Sequence, residues 1–215
     1  MNVEESEKCM VVAHAKQSEE GDRREGGEER KREIARMCDE MSGTAFDAAT
    51  PEVDVDEAAK LFHDGSALFV DVRTDAEMEI SRIPGALRKD EFEARLRTSR
   101  EAVSEEEEGQ GGDKESIGTV IAYCTVGVRS GRYVEAMKKE YPKLCILNLK
   151  GSILSWTHAN MPLEDSTGNV AKRVHVYGKR WDLAHPKYEA VVFSSWPSMV
   201  WNNIQSAISS YCTIM

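Results

Sequence analysis

Nowhere in the sequence do apolar residues run long enough to cross a membrane, and no cysteine stands in a C-x-x-C pair or beside a histidine at zinc-binding spacing. These absences argue against a membrane-spanning protein and against a structural zinc module. Basic residues are in deficit, with 28 Lys and Arg against 38 Asp and Glu and a net charge of -10. Such a balance repels nucleic acid and acidic headgroups, so no nucleic-acid partner is expected. The cysteines number five, an odd count, and are scattered at Cys9, Cys38, Cys124, Cys145 and Cys212. A disulfide framework is therefore not expected, and a reducing, cytoplasmic setting fits best. The N-terminus "MNVEESEKCM" has neither the apolar centre of a secretory signal nor the basic, serine-rich character of a transit peptide.

At 215 residues the chain has room for one ordinary domain with generous additions. Residues 1–50 mix acidic and basic residues with Gly and Ser and carry little apolar surface to offset chain ordering, so this segment is expected to be a disordered charged tail. Within it, Ile34, Met37 and Met41 fall at helical spacing, which predicts a helix over Glu29–Met41, either transient or docked. A solvated charged helix is the plainer reading.

The folded region opens at "PEVDVDEAAKLFHDG", where Asp54 and Glu57 are spaced as a capping box ahead of Ala58, Leu61 and Phe62, and Gly65 ends the helix. "ALFVDV" (Ala67–Val72), "GTVIAYC" (Gly118–Cys124) and "LCILNL" (Leu144–Leu149) are short apolar runs of the kind buried on both faces of a parallel sheet. Between the last two, "SGRYVEAMKKEYPK" supplies a crossover helix. The expected class is α/β with a mainly parallel sheet. Asp90 and Glu93 suggest a second capping box for "EFEARLRTSREAV", followed by a flexible acidic insertion over about residues 104–116. Cys145, inside an apolar run, is expected in the core.

"VIAYCTVGVRSG" carries the chemistry. In a parallel α/β sheet, ligands bind beyond the carboxyl ends of the strands, and Cys124 falls at such an end just before a helix. The free amides of the helix start and of the loop form a nest for an anion, and Gly127 permits the backbone turn that points them inward. Those donors and Arg129 favour the thiolate, which makes Cys124 a candidate nucleophile. The bland alternative is a buried structural thiol. The glycine and arginine that follow so closely weigh against it.

Three stretches taken in order, "LFVDVRTDAEMEISRIPGAL", "VIAYCTVGVRSG" and "LNLKGSILSW", resemble the rhodanese-like sulfurtransferases over about Pro51–Leu163. The resemblance implies a five-stranded parallel sheet with helices on both sides and a rhodanese-like domain over residues 51–165. It implies that Cys124 accepts a sulfane sulfur as a persulfide while Thr125, Val126, Gly127, Val128 and Arg129 form the substrate cradle. The partners would be a small sulfur-containing anion such as thiosulfate and a thiol or cyanide acceptor, with no metal and no cofactor. Asp71, Arg73 and Glu77 are expected as supporting residues, Glu77 as a partner of Arg129; for Asp71 and Arg73 an ordinary ion pair is the simpler reading. A noncatalytic rhodanese-like binding module is the alternative. Tyrosine phosphatases and arsenate reductases of the same fold have a loop longer by one residue, wide enough for a tetrahedral oxyanion, whereas Cys124 and Arg129 are separated only by Thr125, Val126, Gly127 and Val128. The sequence departs from the family at Arg82, where a histidine is usual, at Ser152, where a second glycine follows "LKG", and at Asn160, where a glycine is common.

Residues 166–198 interleave basic and aromatic side chains around Tyr177, Trp181 and Tyr188, and are expected to pack back on the domain and to line the site rather than to bind nucleic acid. His175 and His185 lack a ligand set, so surface or packing roles are expected of them. Over residues 199–215, Val200, Trp201, Ile204, Ile208 and Tyr211 share one helical face, and Cys212-Thr213-Ile214-Met215 fits a C-a-a-X prenylation signal. In a eukaryote, Cys212 would then carry a farnesyl group giving weak, peripheral membrane attachment.

Overall fold

A computed structural model of the chain describes residues 26–105 and 118–193. The acidic stretch after Glu105, Cys9 and the Cys212 signal with its preceding apolar face lie outside the described residues. Helix α1 covers 26–41. It is followed by β1 (Glu52–Val53), α2 (Val55–His63), β2 (Ala67–Asp71), α3 (Asp75–Ile80), β3 (Leu87–Arg88), α4 (Lys89–Glu105), β4 (Thr119–Tyr123), α5 (Val128–Glu140), β5 (Ile146–Leu149) and α6 (Ser152–His158). Two further strands, β6 (Arg173–His175) and β7 (Glu189–Val191), flank a short 3-10 turn at Lys179–Trp181.

The main sheet has five strands in the order β1-β5-β4-β2-β3, and every pairing is parallel. Its middle strands alternate between two apolar faces, as the strand period requires. Phe69, Ile121 and Tyr123 face a core shared with α1, α2 and α6, where Trp156 meets Phe62 and Phe69 edge-on at 5.4 Å each. Val70, Val120 and Ala122 face Phe92 and Leu96 of α4 and Tyr133, Val134 and Met137 of α5. The strand order reverses between β4 and β2, which opens a crevice at their carboxyl ends.

Three sequence-based expectations are corrected here. Disorder through residue 50 fails from residue 26 onward: Ile34, Met37, Cys38, Met41, Ala45 and Phe46 are buried, so one apolar stripe is enough to dock an otherwise charged helix. Cys145 is exposed rather than in the core, because it precedes β5 and only Leu144 and Ile146 beside it turn inward. Helix α4 begins at Lys89, so Asp90 is not its cap; the Glu91 side chain instead accepts the Arg88 N–H at 3.0 Å. The Asp54 cap does form, accepting the Glu57 N–H at 2.9 Å ahead of α2.

After α6 the chain crosses back over the carboxyl end of the sheet. Strands β6 and β7 pair in parallel, and β6 lies against α3 with Val174 and His175 fully buried. Arg30 of α1 donates to the Ala184 carbonyl at 2.6 Å, so the segments before and after the sheet meet each other.

Candidate active site

Cys124 is the first residue beyond β4 and is 2% exposed. The turn that follows depends on Gly127, whose φ of 115° is open to glycine and strained for any residue with a Cβ. That turn brings the Gly127 N–H to 3.2 Å from the Cys124 Sγ and starts α5, so the free amides at the start of α5 face the sulfur. The Ser130 hydroxyl lies 3.5 Å from the same atom. Burial works against the thiolate, but the Arg129 charge, the Ser130 hydroxyl and the Ser130 and Gly127 amides outweigh it and hold the thiol below its ordinary 9.0. Cys38 provides the contrast: desolvation pushes this buried thiol up to about 12. Its Sγ faces the Val126 carbonyl at 3.7 Å, placing α1 directly behind the loop.

Thr125 and Val126 are buried, and Val128 and Arg129 are partly exposed. Arg129 does not encircle the space above the sulfur. It donates two hydrogen bonds of 2.8 Å to Glu77, which is fully buried in α3. Glu77 also accepts from the Thr74 N–H at 3.0 Å and the Thr74 hydroxyl at 2.9 Å, which pins it to the start of α3. Its other oxygen receives Tyr177 Oη and lies beside His175 Nδ1, both at 3.2 Å. Burial favours the neutral acid, but the bonds from Arg129 and His175, then the Arg129 and Arg73 charges, hold Glu77 well below the ordinary carboxylate range.

Asp71 and Arg73 stand apart from the sulfur as a buried pair, Nη2 to Oδ2 at 2.6 Å, with Arg73 also donating to the Ser81 carbonyl at 2.6 Å. They tie the end of β2 to the turn after α3 and so support the element that carries Glu77. Of the departures, Arg82 pairs with Glu164 at 2.8 Å, and Asn160 adopts a φ of 58° and accepts from Lys187 at 3.1 Å. Ser152 is different, because it touches the Cys124 backbone directly: its Oγ accepts the Cys124 N–H at 3.0 Å.

His175 and Tyr177 belong to this site, and reading local patterns missed the histidine's part in it. The Tyr177 ring lies 5.0 Å from the Arg129 guanidinium, covering one of its faces. Nothing local marks His175, which reaches Glu77 from about a hundred positions away; Tyr177 lies in the segment expected to line the site, but its partner at a similar separation was not legible. Thr74 had a legible signal, the T-x-x-E spacing of "TDAE". Ser130 had none beyond standing next to Arg129.

A buried thiol held below its ordinary value at a strand end, a glycine-dependent amide cradle and an arginine locked to a buried glutamate define a class of cysteine-loop α/β domain. The rhodanese-like domain family model matches residues 54–159, and that stretch of the chain is a rhodanese-like domain. No curated protein gives a significant match to the sequence. Among solved structures, a thiosulfate sulfurtransferase from Pseudomonas aeruginosa is 18% identical, with 75% of this chain and 24% of that one covered and a TM-score of 0.42. A rhodanese-like domain protein from Staphylococcus aureus is 24% identical over 49% of this chain and 90% of its own, TM-score 0.36. A Rhodopseudomonas palustris protein of unknown function, described as a possible tyrosine phosphatase, is 19% identical over 61% and 93%, TM-score 0.41.

Proposed function

We propose that the protein is a sulfurtransferase that carries a sulfane sulfur on Cys124. The observation that supports this most directly is the environment of Sγ: an amide N–H at 3.2 Å, a hydroxyl at 3.5 Å, and a thiol held below its ordinary value. In the first step the Cys124 thiolate attacks the outer sulfur of a thiosulfate-like donor. The new sulfur–sulfur bond makes the Cys124 persulfide, and the old one breaks with its electron pair leaving on sulfite. In the second step a thiolate acceptor attacks the outer sulfur, taking it as a persulfide and returning the Cys124 thiolate; cyanide in the same role leaves as thiocyanate. Amides rather than Arg129 receive the donor's charge, because the guanidinium is already committed to Glu77. The same commitment, with the short loop, counts against phosphate hydrolysis, which needs an arginine free to embrace a tetrahedral oxyanion.

The test is intact-protein mass after incubation with thiosulfate, for the wild type and for Cys124→Ser. A gain of about 32 mass units in the wild type, absent in the variant, supports the persulfide. A wild type that stays unmodified while a control sulfurtransferase loads would sink the reading with this donor class and bring forward a noncatalytic binding module.

A further inference from the structure

Where the chain has "LKGSILSW", two consecutive residues take positive φ: Gly151 at 69° and Ser152 at 48°. Gly151 is required there, since a Cβ would fall 1.9 Å from the Ser155 Oγ. Ser152 is not required by any such crowding, and a serine in this conformation is strained. Among the described residues only Ser152 and Asn160 adopt positive φ without being glycine. Strain of this kind is retained when the side chain does something there, and this one is fully buried beneath the nucleophile.

The Cys124 peptide is gripped from both sides by the start of α6. Its N–H is accepted by the Ser152 Oγ at 3.0 Å, and its carbonyl accepts the Ile153 N–H at 3.3 Å, with Leu154 N–H on the Thr125 carbonyl at 3.3 Å. The Ser152 hydroxyl has one proton to place. The Leu149 carbonyl is 3.2 Å away, the Ser130 Oγ 3.4 Å and the Cys124 Sγ 3.9 Å. We propose that Ser152 is a positioning residue for the nucleophile: it fixes the Cys124 backbone through the N–H, and its hydroxyl proton turns from the Leu149 carbonyl toward Sγ when the thiolate forms. This deepens the sulfurtransferase reading, because it concerns the same sulfur. A glycine here would relieve the strain and lose both contacts.

The other groups facing the sulfur are the Gly127 N–H, the Ser130 hydroxyl and Arg129 of α5, with Glu77 of α3 and His175 and Tyr177 of the C-terminal segment behind the arginine. The bonds that hold the charged groups do not involve Ser152, so a change in the thiol's titration reports on the serine and on the Ser130 hydroxyl that it meets at 3.4 Å. Carbamidomethylation of Cys124 by iodoacetamide, read by peptide mass across a pH series, compares the wild type with Ser152→Gly and Ser152→Ala. The expected result for Ser152→Gly is a midpoint displaced to higher pH, a rate at neutral pH lower by about three- to tenfold, and an unchanged alkaline plateau, as loss of one hydrogen bond to the ionised form implies. Ser152→Ala should share that profile and melt at a lower temperature than Ser152→Gly, because alanine keeps the strain. A Ser152→Gly profile that superimposes on the wild type, or falls equally at every pH, overturns the proposal. Alkylation needs no sulfur donor. A displaced profile in a protein that takes no sulfur from thiosulfate would therefore keep the role of Ser152 and reject sulfur transfer.

Discussion

Glu77 and Arg129 meet through two parallel hydrogen bonds of 2.8 Å, with the Glu77 side chain fully buried and the Arg129 side chain 25% exposed. The pair links α3 to the first turn of α5, and so holds the cysteine loop against the far side of the crevice. Removing one partner strands the other, which costs more than the pair itself contributes.

Glu77→Gln should therefore destabilise the protein by about 3 kcal/mol near neutral pH, measured as a lower urea midpoint with unchanged slope. The pH dependence follows from the direction of the shift. The folded-state value lies below the ordinary 4.5, so the stabilisation is fully present above that pH and is lost as pH falls below it. The gap between wild type and Glu77→Gln should narrow in that acid range; a gap that stays constant there would contradict the charged-carboxylate account.

The two cysteines buried among the described residues should react oppositely. Iodoacetamide at neutral pH is expected to modify Cys124, whose thiol is lowered from 9.0, and to leave Cys38, raised to about 12, unmodified in the folded protein. Denaturant should abolish the difference. Peptide mapping that finds Cys38 modified first would show that burial, not the charge environment, had been misjudged.

Tyr177 offers a graded test of the C-terminal segment. Tyr177→Phe removes the hydroxyl on Glu77 and keeps the ring over Arg129, at an expected cost of about 1.5 kcal/mol. Tyr177→Ala removes both and should cost about 3 kcal/mol. Equal losses in chemical denaturation would mean that the ring over Arg129 contributes nothing beyond the hydroxyl.

Docking of α1 can be checked at Ile34, which is 2% exposed and would stand 2.9 Å from a Cβ on Gly151. Ile34→Ala should lose about 2–4 kcal/mol, the range for a truncated core side chain. A change below about 0.5 kcal/mol, as at a surface position, would mean that the helix is not seated on the domain.

The parallel sheet and the cysteine loop were legible because both are local. Each strand is a short apolar run with a turn at its end, and the loop packs its cysteine, glycine and arginine between Cys124 and Arg129. Glu77 as the partner of Arg129 came from family resemblance, and the structure supplies its geometry. The docked α1 was only half readable: Ile34, Met37 and Met41 announce a stripe, but a stripe does not say whether a surface exists to receive it. Cys145 was misplaced for a similar reason, since an apolar run does not mark where the strand inside it begins.

What the sequence alone determined is therefore the α/β order of elements and the short loop that carries Cys124, because hydrophobic period and turn residues act within a few positions. What only the tertiary structure decided is the company that Cys124 keeps. Ser152, His175 and Tyr177 arrive from distant parts of the chain, and Arg129 is turned to Glu77 rather than to the space above the sulfur. These relationships depend on how the chain returns over the end of the sheet, and burial and charge pairing fix them only once it has folded.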